Sequence, residues 1–188
     1  TLQQSSAASD VYKRQVLLNA LEAHVGRFGS LEAIVETKGE ILDDLTASDT
    51  AVINADQAHY SAWQLRAAPA RIISFGDSST ADVQLMNLID RGFDGSDITV
   101  DAMGTEISLR LSIPGKGGVT NALAATAAAM ALDIDVSVIA QGIEALSPVE
   151  GRGNTLHLDK GIRLIDESYN ASPSSVMAAL DLLKHARP

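Results

Sequence analysis

The chain has 188 residues, 46% of them hydrophobic, with a formal net charge of -10 and a pI near 4.7. That length suits one sizeable core or parts of two domains, and the acidic charge excludes broad electrostatic attraction to nucleic acid or anionic membranes. The sequence has no cysteine, which excludes disulfides and thiolate zinc sites, and neither a membrane-length apolar run nor a secretory signal pattern, so we expect a cytoplasmic location.

The first half of the chain predicts strands that alternate with helices. Residues 1–15 are polar and predict a disordered or non-native leader. Short apolar runs at 16–21, 50–55 and 70–76 predict buried strands. Ser30 is a suitable N-cap for a helix that continues to about Leu42, and a second helix is predicted through Trp63. Alternation of this kind is typical of βαβ units around a parallel sheet.

The pattern changes to a period of two further along the chain. Apolar and polar residues alternate at 98–102 and again at 107–113, with a turn at Met103-Gly104 between them. Strict alternation favours antiparallel strands with one face in water. Together with residues 82–88 they predict a small antiparallel meander appended to the parallel sheet.

A glycine-rich loop and an alanine-rich helix follow the meander. Gly115-Lys116-Gly117-Gly118 lacks the G-x-x-x-x-G-K-[ST] order of a phosphate-binding loop, and no such motif occurs elsewhere in the sequence. The alanines after it predict a helix that packs closely against a sheet. Residues 136–146 predict another helix with Asp135 as N-cap, and 147–153 have the composition of a linker.

The stretch from Gly161 to Leu183 predicts a strand, a polar turn and a helix. The turn, with the residues DESYNASP, lies at the carboxyl end of the strand, where open α/β sheets place ligands. Ser172 is a suitable N-cap, and Pro173 occupies the favoured first helical position. From the residues alone, Asp, Tyr and Asn in this cluster are equally typical of an ordinary turn.

DESYNASP resembles the DDSYNANP signature of the Mur ligases that add D-alanyl-D-alanine to the peptidoglycan precursor. Further matches follow in the order of that family: AHVGRFGS and TKGEI resemble AHLEGFGS and AKGEI, INAD resembles LNADD, PGKGGVTNALAA resembles PGRHNVxNALAAAA, and EGR resembles VPGR. The resemblance implies an α/β fold. Residues 16–150 would form the later part of the central ATP-binding domain, a mostly parallel sheet with helices and the meander. Residues 151–188 would form the first strand and helix of a Rossmann-like C-terminal domain.

The resemblance also implies a magnesium site. His24 would help to hold one Mg²⁺, and Lys38, carbamylated, would support a second. A carbamate converts an ammonium into an anionic oxygen donor, which is the ligand type that magnesium prefers. From the residues alone, a structural histidine and a solvated lysine are the alternatives.

The family's ATP-contacting positions fall on five residues. Asn121 would lie near the adenine, Arg152 would reach the phosphates, Asp166 would accept from the ribose hydroxyls, and Tyr169 and Asn170 would lie near the base. A guanidinium is always charged and binds phosphate oxygens as a fork. The chain departs from the family at Gly117-Gly118, where the family has His-Asn, so one nucleotide contact of that Asn is missing or relocated.

The reaction that the resemblance implies is ATP-dependent amide formation. The carboxylate of UDP-N-acetylmuramoyl-tripeptide attacks the γ-phosphate, and the amine of D-alanyl-D-alanine then attacks the resulting acyl phosphate. The resemblance implies a monomeric parent enzyme, of which this chain would be a fragment inactive by itself. Two alternatives stay open: a sister Mur or folylpolyglutamate ligase, and a non-catalytic nucleotide-binding or scaffold domain.

Overall fold

The computed structural model describes residues 14–22 and 25–185. Within them a six-stranded sheet, in the order β1-β2-β3-β4-β5-β6, is followed by a two-stranded hairpin, β7-β8. The strands are β1 Arg14–Leu17, β2 Thr50–Asn54, β3 Arg71–Gly76, β4 Val83–Asp90, β5 Ser96–Ala102, β6 Thr105–Leu111, β7 Asn154–His157 and β8 Arg163–Asp166. The α-helices are α1 Val25–Phe28, α2 Leu31–Gly39, α3 Tyr60–Ala67, α4 Gly115–Met130, α5 Val136–Glu144 and α6 Pro173–His185.

The first four strands are parallel, as the alternation of strands and helices predicts. β1 pairs with β2, β2 with β3, and β3 with the start of β4. All five residues of β2 are buried, in keeping with a strand covered on both faces. The Ser30 Oγ accepts a hydrogen bond from the Ala33 N–H at 3.2 Å, which confirms the predicted N-cap of α2. The predicted leader 1–15 lies outside the described residues except for Arg14 and Gln15, which belong to β1.

The antiparallel meander is also confirmed, and it continues the same sheet. β4 pairs antiparallel with β5 and β5 with β6. Burial alternates strictly along β5, from Ser96 to Ala102. The β5–β6 turn contains Met103 and Gly104, both with positive φ. One face of this half therefore packs on the core while the other lies towards water.

The sheet divides the core into two layers, because successive side chains of a strand point to opposite faces. Val52 belongs to the cluster beneath α4 and α5, whereas its neighbours Ala51 and Ile53 belong to the cluster beneath α2 and α3. The alanine-rich face of α4 is buried against the sheet, as predicted. No helix in the described ranges combines the length and the apolar character that a membrane crossing needs.

The C-terminal segment differs in one respect from the prediction. β8 forms at the predicted place, but it pairs antiparallel with β7 and so is half of a hairpin within this chain. The prediction missed β7 because Asn154, Thr155, Leu156 and His157 contain neither an apolar run nor a period of two. A turn with Lys160 and Gly161 at positive φ joins the two strands. Helix α6 packs against α4 and the 3₁₀ turn at Gly92–Asp94.

Candidate functional site

A cleft of about 600 Å³ lies between the start of α4 and the C-terminal segment. Glu22 and three longer pieces of chain line it: residues 113–121 at the start of α4, the loop 151–153, and residues 167–175, which lead into α6 and begin it. Four of the residues that the sequence singles out meet here, namely Asn121, Arg152, Tyr169 and Asn170. They lie up to 49 positions apart in sequence, and only the docking of the C-terminal segment on α4 brings them together.

The loop that carries Arg152 owes its shape to two glycines. Gly151 and Gly153 both have positive φ, at 76° and 77°, where residues with a Cβ are strained. A Cβ on Gly151 would also lie 3.2 Å from the Cβ of Tyr169. Both glycines are buried while Arg152 between them is exposed. The loop therefore directs the guanidinium outwards into the cleft.

Asp166 joins that loop to the end of β8. Its Oδ2 accepts a hydrogen bond from the Gly151 N–H at 3.0 Å, and its Oδ1 accepts from the Ser168 N–H at 3.1 Å. Hydrogen bonds from the Ser168 side chain and backbone, together with the one from Gly151, lower the pKa of Asp166. An ionised carboxylate offers about four acceptor positions, so it can accept a further hydrogen bond. Asp166 itself is not among the residues that line the cleft.

The start of α4 forms the opposite wall and is helical rather than a loop. The predicted glycine-rich loop, Gly115–Gly118, is the first turn of α4. A Cβ on Gly118 would lie 2.5 Å from the Ile113 carbonyl oxygen, whereas a Cβ on Gly117 would meet nothing within 4 Å. Hence the Asn that the family has at this position cannot be accommodated at 118 without a shift of the backbone. The exposed amide of Asn121 lies one turn further along the cleft wall.

Lys38 lies apart from the cleft, and His24 lies outside the described residues. The Lys38 Nζ donates a hydrogen bond to the Asn19 carbonyl oxygen at 2.7 Å. Burial lowers the pKa of Lys38, although much of its side chain is exposed. An ammonium is not a magnesium ligand, so the unmodified residue does not fit the metal, whereas a carbamate on Nζ would fit it. In the described ranges no group of three or more His, Asp or Glu side chains is placed to hold a metal ion.

The sequence reasoning missed several residues of the cleft. Glu22 and Glu167 add two carboxylates to its lining, and Ser172 and Ser175 add hydroxyls at the start of α6. Glu22 follows β1 closely, so its position beyond the carboxyl end of a parallel strand was the available signal. The sequence predicted Ser172 only as the N-cap of α6, and the Ser175 N–H does donate to the Ser172 Oγ at 3.2 Å.

Comparison with known proteins agrees with this architecture. Residues 2–129 match the family described as the Mur ligase middle domain. The chain belongs to the Mur ligase family. The UDP-N-acetylmuramoyl-tripeptide–D-alanyl-D-alanine ligase of Haemophilus influenzae is 36% identical to it over 166 residues, which cover 88% of this chain and 35% of that relative.

Two solved Mur ligase structures resemble the fold over nearly the whole chain. MurF from Acinetobacter baumannii superposes with a TM-score of 0.87 at 27% identity, covering 93% of this chain and 38% of that one. The Mur ligase MurF of Thermotoga maritima, solved in complex with ADP, superposes with a TM-score of 0.78 at 25% identity, covering 93% and 40%. The chain thus spans between a third and two fifths of the length of these relatives.

Proposed function

We propose that this chain is part of an ATP-dependent ligase that adds D-alanyl-D-alanine to UDP-N-acetylmuramoyl-tripeptide through an acyl phosphate. The observation that carries the proposal is the cleft, which gathers Asn121, Arg152, Tyr169 and Asn170 on a Mur ligase fold. The DESYNASP turn at one wall favours the D-alanyl-D-alanine-adding branch over sister ligases. The proposed location is the cytoplasm, where the nucleotide-linked substrate and ATP would be available, and the proposed state of the whole enzyme is a monomer.

The cleft is proposed as the ATP site. Asn121 lies on the wall formed by α4 and would face the adenine, as the family resemblance implies. Arg152 supplies a fixed positive charge and N–H donors for phosphate oxygens. Asp166 would accept from the ribose, and Asn170 would contact the base. In the phosphoryl step the guanidinium offsets charge that develops on the transferred group, which is an electrostatic contribution to catalysis.

We propose further that Lys38 is carbamylated and that the carbamate, with His24, holds Mg²⁺. The lowered pKa of Lys38 supports this, because only the neutral amine reacts with carbon dioxide. Magnesium would supply charge neutralisation at the phosphates when bound. A carbamate signal near Lys38 in the ¹³C spectrum of protein prepared with ¹³C-bicarbonate, absent from Lys38→Gln, would support the modification. If the carbamate signal is absent at alkaline pH, the proposed modification of Lys38 is wrong.

The ATP site is tested by calorimetric titration of the 188-residue chain with ADP. Saturable binding is expected, and Arg152→Ala should weaken it about tenfold or more, because hydrogen bonds to charged groups contribute roughly 1.5–3 kcal/mol. Lys184→Ala is the matched control: Lys184 is a cation on the same C-terminal segment, but it pairs with Asp181 of its own helix and does not line the cleft. Equal affinities of the two variants would contradict the assignment of Arg152.

The ligase reaction is tested separately. By itself the chain should neither turn over ATP nor form the amide, because no phosphate-binding loop of the GTNGKT type occurs in its sequence. The proposal expects such a loop in frame in the DNA upstream of this coding region. Binding of ADP together with native flanking DNA that encodes no ligase segments would instead favour a non-catalytic nucleotide-binding domain.

A further inference from the structure

The guanidinium of Arg152 lies over the ring of Tyr169. Its Cζ is 3.9 Å from the ring centroid, within the range of a cation–π contact. Both side chains line the cleft, and Tyr169 keeps 69% of its surface exposed. An exposed aromatic ring that covers little of the core has no evident packing role. The contact with Arg152 is therefore the main interaction of the Tyr169 ring.

The backbone keeps these two residues in register. The Tyr169 N–H donates to the Gly151 carbonyl oxygen at 3.1 Å, and the Gly153 N–H donates to the Asp166 carbonyl oxygen at 2.9 Å. The Gly151 N–H donates to the Asp166 carboxylate, as described above. Three hydrogen bonds thus link the Arg152 loop to the turn that carries Tyr169. Arg152 and Tyr169 therefore belong to two segments whose backbones are hydrogen-bonded to each other, and not to two independent loops.

The electrostatics of the contact suit an arginine that must bind an anion. Within the described part of the chain Arg152 makes no ion pair, whereas Arg66, Arg91 and Arg110 each pair with carboxylates. A carboxylate partner would compete with a phosphate for the guanidinium. The aromatic face of Tyr169 restricts the rotamers of the Arg152 side chain, and the rotamer entropy of an arginine contributes about 2 kcal/mol to the free energy of ordering it. The contact leaves the N–H donors at the edge of the guanidinium available.

We propose that Tyr169 is a positioning residue: it holds the Arg152 guanidinium in the cleft, ready for the phosphates of the nucleotide. This role rests on the proposed function. It differs from the role implied by the family resemblance, in which Tyr169 lies near the base. The two roles make different predictions for the affinities of ligands with and without phosphates.

The test compares ADP with adenosine on three variants of the full chain. Tyr169→Leu should weaken ADP binding about two- to fivefold, the value of an exposed cation–π contact, and leave adenosine binding unchanged. Tyr169→Phe keeps a ring and should bind both ligands like the unsubstituted chain. Leu183→Ala, at a half-exposed residue of α6 that does not line the cleft, should alter neither affinity. If Tyr169→Leu weakens adenosine and ADP equally, the ring contacts the base and the proposal is wrong.

A second readout needs no ligand. The Nε–Hε resonance of Arg152, assigned through Arg152→Lys, should be shifted upfield by the Tyr169 ring current in the unsubstituted chain and in Tyr169→Phe. The shift should be lost in Tyr169→Leu. Normal ADP binding without this shift would overturn the positioning role alone. Failure of the unsubstituted chain to bind ADP would overturn the proposed function and, with it, this role.

Discussion

At the residue scale, neighbouring glycines at the start of α4 have different functions. Gly118 is buried and leaves no space for a Cβ, since the Ile113 carbonyl oxygen would lie at 2.5 Å and the Ile113 Cγ2 at 2.9 Å. Gly117 is exposed with open space around it. A side chain at position 118, such as the Asn that the family resemblance implies there, would therefore require a shift of the backbone, whereas a side chain at position 117 has room.

We expect Gly118→Ala to lower the free energy of unfolding by about 1–3 kcal/mol, because the backbone of α4 must move away from Ile113. Gly117→Ala is the matched control and should be neutral, or stabilising by up to about 1 kcal/mol, since alanine favours the helix more than glycine does. Urea unfolding followed by circular dichroism measures both. Equal midpoints for the two variants would show that α4 relaxes without cost.

The carboxylate of Asp166 predicts a specific pH dependence. Hydrogen bonds from Ser168 and Gly151 lower its pKa in the folded chain, so its stabilising contribution is present above the unfolded value of about 3.9. That contribution is lost as the pH falls through the lower, folded pKa. A ¹³C titration of the Asp166 carboxyl should show the lowered pKa, and Ser168→Ala should raise it. Ser174→Ala, in the same segment, should leave it unchanged; a shift there would mean that the cause is not local.

At the scale of the elements, the antiparallel half of the sheet buries one of every two successive residues in the core and exposes the other. Leu109 on β6 is 2% exposed and packs with the cluster beneath α4 and α5, while Ser108 beside it is exposed. Adjacent residues of one strand therefore make unequal contributions to stability.

Leu109→Ala should destabilise the chain by about 2–5 kcal/mol, because it removes buried methyl groups and leaves a cavity. Ser108→Ala, one residue away on the wet face, should change the free energy of unfolding by less than about 0.5 kcal/mol. Denaturant midpoints of the two variants test the register. A larger loss for Ser108→Ala would mean that the strand is shifted by one residue, which exchanges its two faces.

At the scale of the whole molecule, the cleft exists only while the C-terminal segment is docked. Helix α6 contacts α4 and the Gly92–Asp94 turn, and Leu182 is its buried apolar residue at 8% exposure. The neighbouring Leu183 is 52% exposed. One side chain of α6 thus contributes much of the apolar contact that keeps Arg152 and Tyr169 opposite Asn121.

Leu182→Ala should loosen the docking of the C-terminal segment and leave the six-stranded sheet folded. Limited proteolysis should then cut the linker at residues 147–150 faster than in the unsubstituted chain, and ADP affinity should fall in parallel. In Leu183→Ala the linker should be cut at the same rate as in the unsubstituted chain, because the Leu183 side chain is already half exposed to water. Unchanged cleavage in Leu182→Ala would show that other contacts hold the segment in place.

Local patterns in the sequence predicted most of the helices and strands but missed β7. Hydrophobic period distinguishes buried parallel strands from the half-wet strands of the meander, and the capping serines mark where α2 and α6 begin, because these preferences act within a few residues. The motifs from His24 to DESYNASP indicated the Mur ligase family through their resemblance to its signatures. Three features became visible only in the folded chain: the pairing of β7 with β8, the steric block at Gly118 and the stack of Arg152 on Tyr169. Each depends on atoms brought close by folding, and neither composition nor spacing records that proximity.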